Sequence, residues 1–296
     1  MKILNFGSLN IDKVYNVKNF VQPGETILSL DFNTFCGGKG LNQSVALARA
    51  GANVYHAGAV GTDGKILTDM LKEAGVHMDY LQSLDCASGH AIIEINEHGQ
   101  NRIIVCPGSN GQVTPEYADQ VLSHFESGDI LLLQNEISSI PYIMERAWEK
   151  GMKIALNPSP VNEALYSYPL EKASWLIVNE TEGQLLSDAA STEEHEILEK
   201  LQAKYPNATI VLTLGDKGAY YQDENGSIFQ PSYKVKAVDT TAAGDTFCGF
   251  LLACLAAGDT PAAAMEKATR ASAITVSREG AAPSIPSLEE VEAFQK

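Results

Sequence analysis

The sequence is short of positive charge. It sets 21 Lys and Arg against 37 Asp and Glu, a formal net charge of −16. Binding to nucleic acid or anionic lipid draws its affinity from Lys and Arg neutralising phosphates, so this balance excludes broad polyanion binding to either. An anionic small molecule held by a few local donors remains compatible with it. Cysteine is sparse as well. Cys36, Cys86, Cys106, Cys248 and Cys254 form no CxxC pair and are odd in number, which argues against a disulfide framework or a zinc site and for thiols in a reducing cytosol. The six histidines are scattered without an HExxH pair. Long apolar runs are missing too: the most apolar stretch, 247–257, is interrupted by Gly249 and falls well short of the ~20 residues a membrane helix needs. The opening Met1-Lys2-Ile3-Leu4-Asn5-Phe6-Gly7 is too short in apolar residues for a signal-peptide core. The expected location is cytoplasmic.

What the chain does contain is ordinary globular material, with 45% hydrophobic and 20% charged residues over 296 positions, enough for one large or two modest domains. Short apolar runs rich in Val, Ile and Leu alternate with amphipathic stretches: 130–134, then 141–150, 153–157, 175–178, 180–186, 193–205 and 209–214. Strands without strict alternation, separated by helical segments, predict buried parallel strands in a helix-covered sheet. The last third predicts helices over 244–257 and 261–277 and a short one after Ser287. Segments 10–35 and 90–106 read differently, as short strands and turns with a hairpin signal at Asn96-Glu97-His98-Gly99. They predict an antiparallel patch, either a second layer over one end of the main sheet or an edge hairpin. The expected fold class is α/β, a central mostly parallel sheet flanked by helices, with a small β-sheet appendage.

Glycine concentrates beside two predicted helices. In Cys36-Gly37-Gly38-Lys39-Gly40-Leu41-Asn42-Gln43, paired glycines before a helix let backbone approach a ligand, and Asn42 on the first turn can offer an amide to a hydroxyl. The same pattern suits a plain strand-to-helix turn. It is neither a GxxxxGK[ST] phosphate loop nor a GxGxxG dinucleotide fingerprint. In Val238-Asp239-Thr240-Thr241-Ala242-Ala243-Gly244-Asp245, a predicted strand over 233–238 meets a helix through small side chains. Free N–H groups at that helix start make an anion site, and Asp245 in the first turn stands within reach of whatever it holds. That suffices for phosphoryl transfer, with N–H groups on the transferring oxygens and a carboxylate deprotonating the attacking hydroxyl. The alternative is that Thr240, Thr241 or Asp245 merely caps the helix.

Together these segments resemble the PfkB carbohydrate-kinase family over nearly the whole chain. Gly7-Ser8-Leu9-Asn10-Ile11-Asp12 is similar to the family's opening strand with its N-x-D sugar-binding pair. Residues 37–43, continuing through Gly58-Ala59-Val60-Gly61-Thr62-Asp63-Gly64, resemble its first signature. Asn157-Pro158-Ser159-Pro160 and Asn179-Glu180-Thr181-Glu182 resemble its nucleotide-side motifs, and 239–245 its second signature. The resemblance implies transfer of the ATP γ-phosphate to a primary hydroxyl of a furanose, with Mg²⁺ accompanying the nucleotide. It implies Asp245 as general base, with backbone N–H groups of Ala242, Ala243 and Gly244 as the anion hole. Ala-Ala-Gly-Asp, where the wider family more often begins with Gly, points to the branch that converts D-ribose and ATP to D-ribose 5-phosphate and ADP.

By the same resemblance Asn10, Asp12, Gly38, Lys39, Asn42 and Glu136 bind the sugar. Asn179, Glu182, Thr213, Leu214, Gly215, Asp216, Lys217, Gly218 and Gly244 bind ATP. Asp239, Thr241, Thr275, Arg278, Gly280 and Ser284 match a monovalent-cation site for an activating K⁺. Taken one at a time, Asp12 also reads as a turn residue, Glu136 as a loop-end charge and Lys217 as an exposed hairpin lysine. The resemblance further implies one domain over 1–296, its β appendage a lid that covers the sugar and pairs with a second subunit's lid in a homodimer. Kinases for 2-deoxyribose, another pentose or hexose, or a nucleoside share these contacts. A non-catalytic sugar sensor would have no need of Asp245.

Overall fold

The computed structural model describes residues 1–294. Runs such as Ile-Leu-Leu-Leu-Gln and Trp-Leu-Ile-Val-Asn lack polar–apolar alternation because both faces of the strands they form are covered. The strands are β1 (Ile3–Phe6), β2 (Asn10–Asn16), β3 (Asp31–Gly37), β4 (Val54–Val60), β5 (His77–Ser83), β6 (Gly89–Ile95) and β7 (Asn101–Cys106). They continue as β8 (Ile130–Gln134), β9 (Lys153–Asn157), β10 (Trp175–Asn179), β11 (Thr209–Thr213), β12 (Gly218–Asp223) and β13 (Gly226–Pro231). The helices are α1 (Lys39–Arg49), α2 (Lys65–Glu73), α3 (Pro115–Leu122), α4 (Ile140–Glu149) and α5 (Glu180–Ser187). After these come α6 (Glu194–Lys204), α7 (Ala243–Ala257), α8 (Pro261–Val276) and α9 (Leu288–Ala293).

Nine strands form one sheet in the order β13-β12-β11-β10-β9-β8-β1-β4-β5, parallel from β11 to β5 and closed at one edge by the antiparallel hairpin β12-β13. Ile3 and Leu4, neighbours on β1, point into different hydrophobic clusters, one on each face. The first cluster packs under α1, α2, α7 and α8 and the second under α3, α4, α5 and α6. Helix α7 lies close on α1: a Cβ at Gly249 would collide with Ala46. That approach brings the start of α7 against the start of α1, where the two glycine-rich segments lie.

The strands β3-β2-β6-β7 form a second, four-stranded sheet. Residues 10–16, 31–37, 89–95 and 101–106 supply it, and Asn96 and Gly99 close the expected hairpin through the Gly99 N–H donated to the Asn96 carbonyl. The sheet is mixed rather than antiparallel, because its central pair β2·β6 is parallel. No tight turn joins these two strands, so nothing local forces them to run in opposite directions. The strand expected over 233–238 does not form. Strand β13 stops at Pro231, and the chain beyond is tied to the end of α8 through the Val238 N–H donated to the Val276 carbonyl at 2.7 Å.

Candidate active site

The parallel strands end on polar residues at one edge of the sheet: Gln134 on β8, Asn157 on β9, Asn179 on β10 and Thr213 on β11. Ligands of open parallel sheets bind at this carboxyl edge. Helices α1 and α7 begin over the same edge. Helix α7 starts from Ala242 in the left-handed region (φ 60°), and its hydrogen-bond ladder opens with Thr246 N–H on the Ala242 carbonyl at 2.8 Å. The N–H groups of Gly244 and Asp245 precede that ladder and face the cavity edge. A Cβ on Gly244 would meet nothing within 4 Å, so the space before it is open to a ligand. The Ala243 N–H is turned instead to the Thr240 carbonyl, at 3.3 Å.

Asp245 is 7% exposed. Its Oδ2 accepts from the Asn42 amide at 3.0 Å and its Oδ1 from the Gln43 amide at 2.9 Å. Gln43 was not among the expected functional residues, although it ends the glycine-rich segment.

On one side of Asp245 polar residues of β2, of the turn into α1 and of the loop after β8 come together. Glu136 accepts from the Ser8 hydroxyl and, at 3.0 Å, from the Lys39 N–H. Ser8 in turn accepts from the Gly40 N–H at 3.2 Å. Burial, and then the Glu136 charge, push the Asp12 carboxyl up to about 6. Burial also raises the Glu136 pKa, against the lowering effect of its Ser8 bond and of Lys39. Gly37 has no room for a side chain because the Asp12 carboxylate occupies that space, and Gly38 adopts φ +92° beside it. Asn10 Oδ1 accepts from the Asn110 amide at 2.7 Å, and Asn110 Oδ1 accepts from the Leu9 N–H at 3.1 Å. Asn110, a residue sequence reasoning passed over inside Gly108-Ser109-Asn110-Gly111, thus fixes the orientation of Asn10. The Asn42 Oδ1 is buried without a partner, which leaves an acceptor for an incoming hydroxyl.

On the other side of Asp245 a cavity of about 490 Å³ is lined by Lys39, Asn157, Asn179, Glu180, Glu182, Thr213, Ala242, Ala243 and Gly244. Asn179 and Glu182 form the capping box of α5, with the Glu182 N–H on Asn179 Oδ1 at 2.9 Å and the Asn179 N–H on Glu182 Oε2 at 3.0 Å. A second cavity, of about 620 Å³, shares Thr213, Gly215, Thr240, Ala243 and Gly244 with the first. It extends along Asp216, Gly218, Tyr233, Val235, Phe247 and Val276, a more apolar floor. Of the expected nucleotide residues, Leu214 buries its side chain in the core. Lys217 lines neither cavity and pairs with Glu180 at 3.4 Å. The lysine that does line the first cavity is Lys39. Burial works to lower its pKa, but the carboxylates of Asp245, Glu136 and Glu182 outweigh that and hold the ammonium above its ordinary value.

Asp239 Oδ1 accepts from the Thr241 N–H at 2.9 Å and the Thr241 hydroxyl at 2.6 Å, and its Oδ2 from the Gly280 N–H at 3.0 Å. Burial works to raise the Asp239 pKa, yet these donors hold it below the ordinary value. The loop 275–284 therefore meets 239–241 beside the start of α7. Within it the Thr275 hydroxyl donates to Thr246 at 3.1 Å, Ser284 bonds the Ala281 carbonyl at 2.7 Å and Arg278 reaches Glu290 at 2.6 Å. Among the described residues no group of three or more His, Cys, Asp and Glu is placed to hold a metal ion.

A helix start with free N–H groups, a lysine and a buried carboxylate around one cavity are the parts that small-molecule phosphotransfer needs. The chain belongs to the pfkB family of carbohydrate kinases, whose family profile matches residues 1–288. It is 36% identical over 302 residues to a ribokinase of Staphylococcus aureus, covering 98% of each chain. Among solved structures it superposes on a ribokinase of Cryptococcus neoformans in complex with ADP with a TM-score of 0.86, at 33% identity over 99% of both chains. Ribokinase of Arabidopsis thaliana complexed with ribose and ATP matches with a TM-score of 0.87 at 27% identity, over 99% of this chain and 97% of that one. The chain is an ATP-dependent carbohydrate kinase.

Proposed function

We propose that this enzyme is a ribokinase, transferring the γ-phosphate of ATP to the 5-hydroxyl of D-ribose to give D-ribose 5-phosphate and ADP. The observation that carries the reading is Asp245, a buried carboxylate held by two side-chain amides on the wall of a cavity of about 490 Å³ that the start of α7 also lines. Ribose hydroxyls bind Asn10, Asp12, Gly38, Asn42 and Glu136, with the unpartnered Asn42 Oδ1 as one acceptor. Asp245 orients the 5-hydroxyl and takes its proton as the oxygen attacks. The N–H groups at the α7 start, chiefly those of Gly244 and Asp245, receive the charge of the transferring phosphoryl group. Lys39, a cation on the shared wall, faces the same charge.

ATP extends from that cavity into the neighbouring one, past Thr213, Gly215 and Asp216, with Asn179 and Glu182 on the phosphate side. Glu182 and Glu180 give an oxygen-only donor set suited to Mg²⁺, which keeps most of its waters and neutralises the nucleotide phosphates. The oxygens around Asp239, Thr241, Thr275, Gly280 and Ser284 suit a weakly held K⁺ beside the anion hole. The small sheet acts as the lid of a single domain, limits water access to the phosphoryl group and joins two subunits. Free thiols at all five cysteines accord with a reducing, cytoplasmic setting.

A coupled ADP-release assay over D-ribose, 2-deoxyribose, fructose and nucleosides tests the assignment. D-Ribose is expected to give the highest kcat/KM; another preferred acceptor reassigns the substrate, and no turnover with any of them sinks the kinase reading. Asp245→Asn is expected to lower kcat by roughly 10²–10⁴-fold while ribose still binds. Near-normal turnover would remove Asp245 as the base.

A further inference from the structure

Behind Asp245 runs a chain of buried amides that the reaction as described does not use. Gln43 Nε2 donates to Asp245 Oδ1 at 2.9 Å and to Asn157 Oδ1 at 3.1 Å, which commits its amide hydrogens. Gln43 Oε1 points the other way and accepts from Gln134 Nε2 at 2.7 Å. Gln134 Nε2 also donates to Asn5 Oδ1 at 2.9 Å. Asn5 Nδ2 donates to the Gly40 carbonyl at 2.7 Å and to Ser44 Oγ at 2.8 Å. Ser44 lies 2.8 Å from His56 Nδ1, and burial pushes the His56 pKa down to about 4, so the ring that closes the chain is neutral. Gln43, Asn5, Ser44 and His56 are wholly buried and Gln134 is 1% exposed.

Every amide link from Asp245 to Asn5 has a direction, and both ends of that run are anchored. Asn157 cannot flip, because its Nδ2 donates to the Ile177 carbonyl at 2.9 Å. Asn5 cannot flip, because its Nδ2 is committed to the Gly40 carbonyl. Gln43 lies between the two. A glutamine amide is nearly symmetric in shape but opposite in charge at its two ends. If it turned over, Gln43 would present Oε1 to the Asp245 carboxylate, acceptor against acceptor, at a wholly buried side chain where such a clash is costly. Gln134 makes that turnover costly by holding Oε1.

We propose that Gln43 and Gln134 are positioning residues for phosphoryl transfer: Gln134 fixes the amide orientation of Gln43, and Gln43 with Asn42 holds the Asp245 carboxylate toward the sugar hydroxyl. This rests on Asp245 as the base. Gln134 reaches Asp245 only through Gln43, so its effect is conditional on Gln43. The test is a double-mutant cycle of Gln43→Met, Gln134→Met and the double variant, volume-conserving changes that remove the amides. Each single variant is expected to lower kcat by roughly tenfold or more with ribose KM within about threefold of the parent. The double variant is expected to lose no more than Gln43→Met alone.

Additive losses, or a kcat for Gln134→Met within about twofold of the parent, overturn the proposal, since packing alone would act independently at the two sites. Should Gln134→Met fail to fold, Gln43→Met still decides: an unchanged kcat, or a loss confined to KM, refutes the positioning role. The two readings fail separately. An active Asp245→Asn removes the base, whereas an inactive Asp245→Asn beside a normal Gln43→Met removes only the amide chain.

Discussion

Beside the start of α1 two half-buried carboxylates, Asp12 and Glu136, have raised pKa values, Asp12 partly through the Glu136 charge, and they are not equally compensated. Glu136 accepts from Ser8 and the Lys39 N–H, whereas Asp12, on β2, is pushed up to about 6 by burial and then by the Glu136 charge. The ordinary aspartate is ionised well below neutrality; this one changes state just below physiological pH. Above about 6 Asp12 is acceptor-only and takes hydrogen bonds from sugar hydroxyls. Below it, one oxygen carries a proton and the pocket loses an acceptor. The sign follows: ribose KM rises as pH falls from about 7 to about 5, since the raised Asp12 protonates across that window. Initial-rate measurements of ribose KM against pH check this. Asp12→Asn should carry a high KM that no longer varies through the window, and a parent KM that is flat there would remove Asp12 as the titrating contact.

Helix α7 shows how an element can be built for a site at some cost to itself. It enters through Ala242 at φ 60°, a left-handed conformation that costs an L-residue roughly 1–2 kcal/mol and glycine almost nothing. Glycine recovers part of that difference in the unfolded chain. Ala242→Gly is therefore expected to raise unfolding stability by about 0.5–1 kcal/mol, read as a higher urea midpoint at unchanged m. A lower midpoint would mean that the Ala242 methyl, 9% exposed, contributes more by packing than its backbone loses. Much of this element was legible in advance. The helix start at 244, the helices after Pro261 and Ser287 and the wholly apolar strands could be read because each is a local pattern of one period. The pairing of β2 with β6 could not, since it joins segments some seventy residues apart and no local pattern encodes a parallel partner. The segment 233–238 had suitable residues but pairs with no strand, because the chain after β13 is drawn off to the end of α8, where the Val238 N–H meets the Val276 carbonyl. The site was legible where chemistry shows in residue type, as at Asp245 and Asn42. Gln43, Gln134 and Asn110 escaped because a buried amide is indistinguishable by type from an exposed one. A trace was present: Gln134 and Asn157 are polar residues closing otherwise buried apolar runs, the mark of a strand's carboxyl end at a ligand site.

At the scale of the whole molecule the acidic surface and the anionic substrate have to be reconciled. A net charge of −16 repels ATP at long range, so its phosphates must be met by short-range donors: the α7 N–H groups, Lys39 and the cations proposed above. Such donors work best with water kept out, and the small sheet, the proposed lid, is the part of the molecule suited to that. Its register puts Phe35, Ala91 and Val105 on the same face as Asp12, and Val14, Ile93 and Ile103 on the row beyond. Phe35 is 45% exposed, Ile103 53% and Val105 60%. A sheet face that carries Asp12, the proposed sugar contact, at one end and exposed isoleucine, valine and phenylalanine along the rest is half-covered by its own chain. The same face of a second copy is a self-complementary cover. Ile103→Glu places a charge in the middle of that face, where two copies would bring two carboxylates together. Sedimentation velocity is expected to show a dimer for the parent and a monomer for Ile103→Glu. The monomer should fold normally, because Ile103 is not part of either core cluster. Its ribose KM should rise by about tenfold, since a lid without its partner closes less often over the pocket. A variant that stays dimeric, or a monomeric one with the parent's KM, would separate the lid from the subunit contact and leave closure to each chain alone.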